Sequence, residues 1–148
     1  MKLLVGMDDS KYADAALEFV VGMPWPKGTA VLVVSAVQVP FGAYGEPYAP
    51  IAVDVGAWLE ELTRLHREVA ARAAASLTAA GLQAEGRAPQ GDPRTTILEE
   101  ARKDRVDLIV VGSHGRTGLE KLVMGSVANH VVVHAPCSVL VVRRPGGR

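Results

Sequence analysis

The chain has 148 residues, 49% of them apolar and 22% charged, the balance of one ordinary globular domain, which excludes a disordered tail or a collagen-like fibre. Sixteen basic residues offset sixteen acidic ones, so no long-range field gathers nucleic acid or an anionic membrane, and any bound anion is held by local geometry. One cysteine, Cys137, excludes an intrachain disulfide, and no apolar run reaches the ~18 residues of a membrane span. The start Met-Lys-Leu-Leu-Val lacks a signal peptide's longer apolar run, so a cytoplasmic protein without membrane or nucleic-acid partners is expected.

In chain order, Lys2 to Met7 is a short apolar run that reads as a strand, followed by Asp8-Asp9-Ser10 and an Ala/Leu-rich stretch of helical period reaching Val21. Met23 to Gly28, with two prolines, breaks that helix, and the β-branched run Thr29 to Val37 is a second strand buried on both faces. Gln38 to Pro50 holds three prolines, two glycines and two tyrosines, the composition of an irregular surface loop. A long helix is expected from about Ile51 to Ala80, with Trp58, Leu62, Leu65, Val69 and Leu77 as its apolar stripe and Gly81 ending it. Leu82 to Ala88 reads as a short, weak strand, and Gly91-Asp92-Pro93 as a turn in which Asp92 caps a helix running to about Lys103. Leu108 to Val111 is a fourth strand, Val123 to His134 a fourth helix and Ser138 to Val142 a fifth strand.

Strands alternating with helices, and strands that are apolar throughout, predict an α/β fold. It is a doubly wound, Rossmann-like five-stranded parallel sheet with helices on both faces, a single domain over 1–148. Ligands of such sheets bind beyond the carboxyl ends of the strands.

The fourth strand runs directly into Gly112-Ser113-His114-Gly115-Arg116-Thr117-Gly118, and Gly125-Ser126 opens the next helical pattern. Residues without a Cβ let a chain lie close against phosphate, and a helix N-terminus adds unsatisfied N–H donors and a favourable dipole. Gly112 and Gly115 suit the first role, and Gly125, Ser126 and Val127 the second, with the Ser126 hydroxyl able to donate to phosphate or to cap the helix. Read alone, the stretch is equally a tight turn followed by an N-cap. Two standard phosphate motifs fail: no segment has the P-loop spacing, and the dinucleotide fingerprint belongs after the first strand, where this chain has Met7-Asp8-Asp9-Ser10.

The full spacing is Gly112, two residues, Gly115, nine residues, Gly125-Ser126, and it resembles the nucleotide-binding pattern of ATP-binding universal stress proteins. Val110-Val111 before it, Val127-Ala128 after it, the closing Ala135 to Val142, the opening Leu4 to Ser10 and Gly91-Asp92-Pro93 extend the resemblance over nearly the whole chain. The resemblance implies that Asp8 and Ala36 contact the adenosine end of ATP with Val111 packing nearby. It also implies that Gly112 and Gly115 lie along the ribose and phosphates, and that Gly125, Ser126 and Val127 donate to the phosphate tail, which carries Mg²⁺. Ala36 is smaller than the branched residue expected there. A homodimer through the final strand, Ser138 to Val142, is implied as well, since an edge strand offers unpaired backbone groups to another copy.

Other residues invite weaker readings. Asp8 and Asp9 have the oxygen ligands a hard cation prefers, although Asp8 reads better as a nucleoside contact and Asp9 as solvated. His130 and His134 have a zinc spacing but no third ligand, and read as surface histidines. His114 could touch phosphate but does not read as catalytic, while Arg116 and Lys121 fall where positive charge would offset phosphate. Cys137 reads as an inert thiol. Regulatory binding of Mg-ATP in a stress response is the leading expectation. A slow ATPase or self-phosphorylating enzyme using Thr117 or Ser126 ranks below it because no base stands out, and a nucleotide-free interaction domain below that. An FMN protein is weaker again, because no phosphate loop follows the first strand.

Overall fold

A computed structural model describes residues 1–39, 54–116 and 124–144. Five strands, β1 (Lys2–Gly6), β2 (Ala30–Val34), β3 (Gln83–Arg87), β4 (Leu108–Gly112) and β5 (Ser138–Val142), form one sheet in the order β3-β2-β1-β4-β5. Every pair is parallel, and Val5 of β1 faces Val33 of β2 and Val110 of β4. The helices are α1 (Lys11–Gly22), α2 (Val55–Ala79), α3 (Pro93–Lys103) and α4 (Ser126–His134).

Because side chains alternate across a strand, the central strands feed two cores at once. Leu3, Val5, Val31, Val33 and Val110 pack with α1 and α2, whereas Leu4, Leu32, Val34, Ile109 and Val111 pack with α3 and α4. Fully burying each such side chain contributes about 1.5–3 kcal/mol. The doubly wound sheet expected from the alternation of elements is the one observed.

Local chemistry sets the helix ends. The Ser10 hydroxyl accepts from the Ala13 N–H and starts α1, and Asp92 accepts from the Arg94 N–H with Pro93 in the first turn of α3. Asp54 caps α2 by accepting from the Ala57 N–H, so the described helix starts at Val55, and 51–53 of the expected helix lie outside the described residues. Most of the Gln38 to Pro50 loop lies outside them too, as does Val123, the expected first residue of α4.

The inward face of α2 keeps Val69 and Leu77 of the expected stripe but departs from it at Trp58 and Leu65. His66, Ala70, Ala73, Ala74 and Leu77 are buried, while Trp58 and Leu65 are 37% and 45% exposed. The reason is a close approach of helix to sheet: a Cβ on Gly86 of β3 would lie 2.8 Å from the backbone C and O of Ala70. At that separation only small side chains fit between α2 and the sheet, so alanines displace the larger residues to the outer face.

β3 is a polar edge, as a weak strand should be. Its last residue, Arg87, pairs with Glu100 at 2.8 Å and Asp104 at 3.1 Å on α3, and Lys2 reaches Asp104 at 3.0 Å. β5 forms the opposite edge, with its residues only partly covered. No helix among the described residues is long and apolar enough to cross a membrane.

Candidate functional site

In this strand order the chain leaves β1 toward β2 on one side, while β4 lies on the other, and a doubly wound sheet opens a crevice at that reversal. A cavity of about 600 Å³ occupies it, bounded by the carboxyl ends of β1, β2 and β4 and by the start of α4. All eight residues singled out from the sequence line this cavity.

Asp8 is held by the turn between β1 and α1. Its Oδ1 accepts the Ser10 N–H at 2.9 Å, while the Ser10 hydroxyl caps α1, so one serine fixes both the helix start and the carboxylate. The other oxygen, Oδ2, stands 3.2 Å from where a Cβ on Gly115 would be. Ala36, 9% exposed, contributes a small side chain beyond β2 that leaves room in the cavity, and Val111, 3% exposed, forms part of its apolar floor.

The three glycines play different parts. A Cβ on Gly112 would fall 2.5 Å from the backbone C and O of Tyr12, so glycine is required there for α1 to pack on β4. Gly115 faces the cavity with only the Asp8 side chain near its missing Cβ. Gly125 sits against the opposite arm of the loop, with the His114 Cα 3.0 Å from its missing Cβ, and its N–H donates to the Ser113 carbonyl at 2.7 Å.

Two expectations are thereby corrected. The Gly125 amide is engaged within the protein instead of being offered to a phosphate. The N-cap of α4 is Gly125 itself, with no side-chain capping bond, so Ser126 is the first helical residue and its hydroxyl does not cap. The N–H groups of Ser126 and Val127 have no partner within a helix at this position. They stand at the positive end of the helix dipole beside the cavity.

Charge is arranged around the same space. Arg116 Nε bonds Asp9 Oδ1 at 2.5 Å, so Asp9, expected to be solvated, is paired, with both side chains still more than half exposed. The other edge of the guanidinium reaches His66 Nε2 at 3.3 Å, and His66 Nδ1 lies 2.8 Å from Ser35 Oγ. Both Arg116 and His66 line the cavity. Burial holds the His66 pKa below its ordinary 6.5, the Arg116 charge adds to this, and Asp9 and Asp8 oppose it. The sequence reading missed His66 and Ser35. The signal available for His66 was its register, since residues 66, 70, 73 and 77 recur at helical spacing along the buried face.

His114 lines the cavity with its ring 5.0 Å from that of Tyr12 and its Nδ1 3.1 Å from Ser113 Oγ. Thr117, Gly118 and Lys121 lie outside the described residues. His130 and His134 stack with ring centres 4.2 Å apart, and among the described residues no group of three or more His, Cys, Asp or Glu could hold a metal. Burial pushes the Cys137 thiol up from 9.0, away from nucleophilic character.

This crevice, bordered by Gly112, Gly115 and the N-terminus of α4, places the chain in the class of doubly wound α/β proteins, whose ligands bind at such a reversal of strand order. Within it the chain belongs to the universal stress protein family, whose model matches residues 1–143. It is similar to the universal stress protein MJ0531 of Methanocaldococcus jannaschii, with 50% identity over 56 residues covering 38% of this chain and 33% of that one. Universal stress protein Slr1101 of Synechocystis is 47% identical over 55 residues, 37% of this chain and 51% of that one. The matched segments thus span about a third and about half of those two relatives. A putative universal stress protein of Staphylococcus aureus USA300 is 31% identical over 144 residues, covering 95% of this chain and 82% of its own.

Among solved structures, the hypothetical protein MJ0577 superposes with a TM-score of 0.83 at 26% identity, covering 98% of this chain and 96% of that one. An Arabidopsis thaliana family member solved with AMP bound superposes at 0.69 and 18% identity, over 99% and 93% of the two chains. A universal stress protein in complex with cAMP superposes at 0.60 and 21% identity, over 97% and 96%. The last two similarities establish the shared fold.

Proposed function

We propose that the cavity binds ATP, with Mg²⁺ on its phosphates, as a regulatory ligand of a cytoplasmic stress-response protein. One observation carries this reading: the cavity runs from Asp8 and Ala36, at the ends of β1 and β2, past Gly115 to the first turn of α4. In this pose Asp8 accepts from a nucleoside hydroxyl or amine and Ala36 and Val111 face the base. Gly115 lets the phosphates approach the backbone, and the Ser126 and Val127 amides receive the phosphate tail. The family and two relatives of the same fold, one holding AMP and one cAMP, support an adenine nucleotide as the ligand class.

The described residues suit a metal that arrives with its ligand. Among them no group of three or more His, Cys, Asp or Glu could hold an ion alone, and Mg²⁺ characteristically binds through substrate phosphates and retained waters. When bound, the ion would offset phosphate charge; the protein's own part is to orient the nucleotide and shield it. The same reading includes a homodimer through the β5 edge, where the outer backbone groups of the strand would pair with a second copy.

The test is calorimetric titration with Mg-ATP of the wild-type protein and of Gly115→Val. Wild type is expected to bind and the variant to lose binding; equal behaviour of the two, or no binding by wild type, contradicts the reading. Incubating the complex and assaying for ADP or phosphoprotein separates regulation from turnover, and light scattering measures the dimer.

A further inference from the structure

Four segments distant in sequence contribute to one hydrogen-bonded chain along the cavity wall. Asp9 follows β1, Arg116 follows β4, His66 is on α2 and Ser35 follows β2. The chemistry of the donors fixes the protons in this chain. A guanidinium only donates, so His66 Nε2, 3.3 Å from Arg116, must be the acceptor. The neutral ring then carries its proton on Nδ1 and donates it to Ser35 Oγ at 2.8 Å. His66 is 7% exposed and Ser35 fully buried, which shields this half of the chain from solvent. The Arg116–Asp9 half is more than half exposed, where an ion pair contributes little to stability.

Resting on the nucleotide reading of the cavity, we propose that Arg116 is a tethered cation. In the ligand-free protein it is parked on Asp9 and His66, and on binding it is passed to the ligand's phosphates. The tether therefore sets how strongly the site prefers a phosphorylated nucleotide to the bare nucleoside. Arg116 directly follows Gly115, the residue that faces the cavity with no side chain of its own, so a short movement carries the guanidinium toward the phosphates. The transfer exchanges a solvated ion pair for a charge-assisted fork to phosphate. It leaves His66 Nε2 as an open acceptor on the cavity wall, able to take a donor from water or from the ligand. A phosphate-free ligand gives Arg116 no reason to move. His66 and Asp9 act through Arg116 and are positioning residues.

The experiment measures calorimetric affinities for Mg-ATP and for adenosine and reads their ratio. It compares wild type with Arg116→Gln, His66→Phe and Asp9→Asn, and with the two pairings His66→Phe/Arg116→Gln and Asp9→Asn/Arg116→Gln. Arg116→Gln should reduce the preference for Mg-ATP about tenfold, the scale of one lost charge-assisted bond. His66→Phe and Asp9→Asn should each raise it about threefold, the scale of a weak surface tether, and should have no such effect once Arg116 is glutamine.

Asp9→Asn alters only an exposed side chain and carries the test if His66→Phe fails to fold. The proposal is overturned if Arg116→Gln weakens both ligands equally. It is also overturned if the gain from Asp9→Asn persists in the Arg116→Gln protein, since that is simple charge repulsion without a tether. Wild type that binds adenosine as tightly as Mg-ATP overturns the tether and keeps the nucleoside site. Wild type that binds neither overturns the nucleotide reading and the tether with it.

Discussion

The N–H of Gly125 donates to the carbonyl of Ser113 at 2.7 Å, joining the start of α4 to the residue that follows β4. This bond brings the two arms of the glycine loop together, and the missing Cβ of Gly125 makes the approach possible, with the His114 Cα at 3.0 Å and the Ser113 carbonyl oxygen at 3.3 Å from it. Gly125→Ala is therefore expected to lower stability by about 1–3 kcal/mol through overpacking against backbone. Separating the arms should also weaken Mg-ATP binding at least tenfold. Urea denaturation and calorimetry check the two effects.

Gly112 and Gly115 should part company under the same substitution. In Gly112→Ala the new methyl meets the Tyr12 backbone at 2.5 Å, and a loss of about 3 kcal/mol is expected without any ligand present. In Gly115→Ala the nearest atom is an oxygen of the Asp8 side chain at 3.2 Å, which can shift, so ligand-free stability should change by less than about 1 kcal/mol while nucleotide affinity falls. Thermal melts of the two variants without nucleotide decide this.

The buried His66 makes stability depend on pH. Its folded-state pKa lies below the ordinary 6.5, first because of burial and then because of Arg116. The unfolded chain thus takes up a proton that the folded chain refuses until the pH is lower. The stability tied to the neutral ring is complete above 6.5 and is lost as the pH falls from there through the folded-state pKa. Asp92, depressed chiefly by Arg94, and Asp104, depressed chiefly by Lys2, lose their contribution only as the pH falls below 3.8. Urea titrations between about pH 7.5 and pH 5 should show a decline that His66→Gln flattens.

Removing the partner of His66 isolates the other end of the chain. Ser35→Ala leaves a buried ring N–H without its acceptor and should cost about 1–3 kcal/mol, measured by chemical denaturation at about pH 7.5, where the ring is neutral. Ser35→Thr, which keeps the hydroxyl, should recover part of that loss.

The fold was legible because its signals are local. Fully apolar strands announce a sheet covered on both faces, and Ser10 and Asp92 mark helix starts by the side chains they carry. The fold class alone puts ligands beyond the carboxyl ends of the strands, and the eight residues that meet there are all near strand ends or a helix start. What was not legible depends on contacts between segments. The inward face of α2 is set by the close approach of Ala70 to Gly86, which no periodicity count within the helix reveals. The Gly125 amide is taken up by Ser113, a bond between two segments that its position at a helix start does not reveal. Asp9 and Arg116 carry a signal of their own in the sequence, but their link to each other and to Ser35 and His66 exists only where three loops and α2 converge.

The central claim is that the first turn of α4 receives the phosphates, and amide proton–nitrogen correlation spectra during titration with Mg-ATP and, separately, adenosine test it most directly. The Ser126 and Val127 amides should move with Mg-ATP and stay in place with adenosine, while amides next to Asp8 and Ala36 respond to both and the internally bonded Gly125 moves less. Saturation with Mg-ATP that leaves Ser126 and Val127 unshifted would contradict the account.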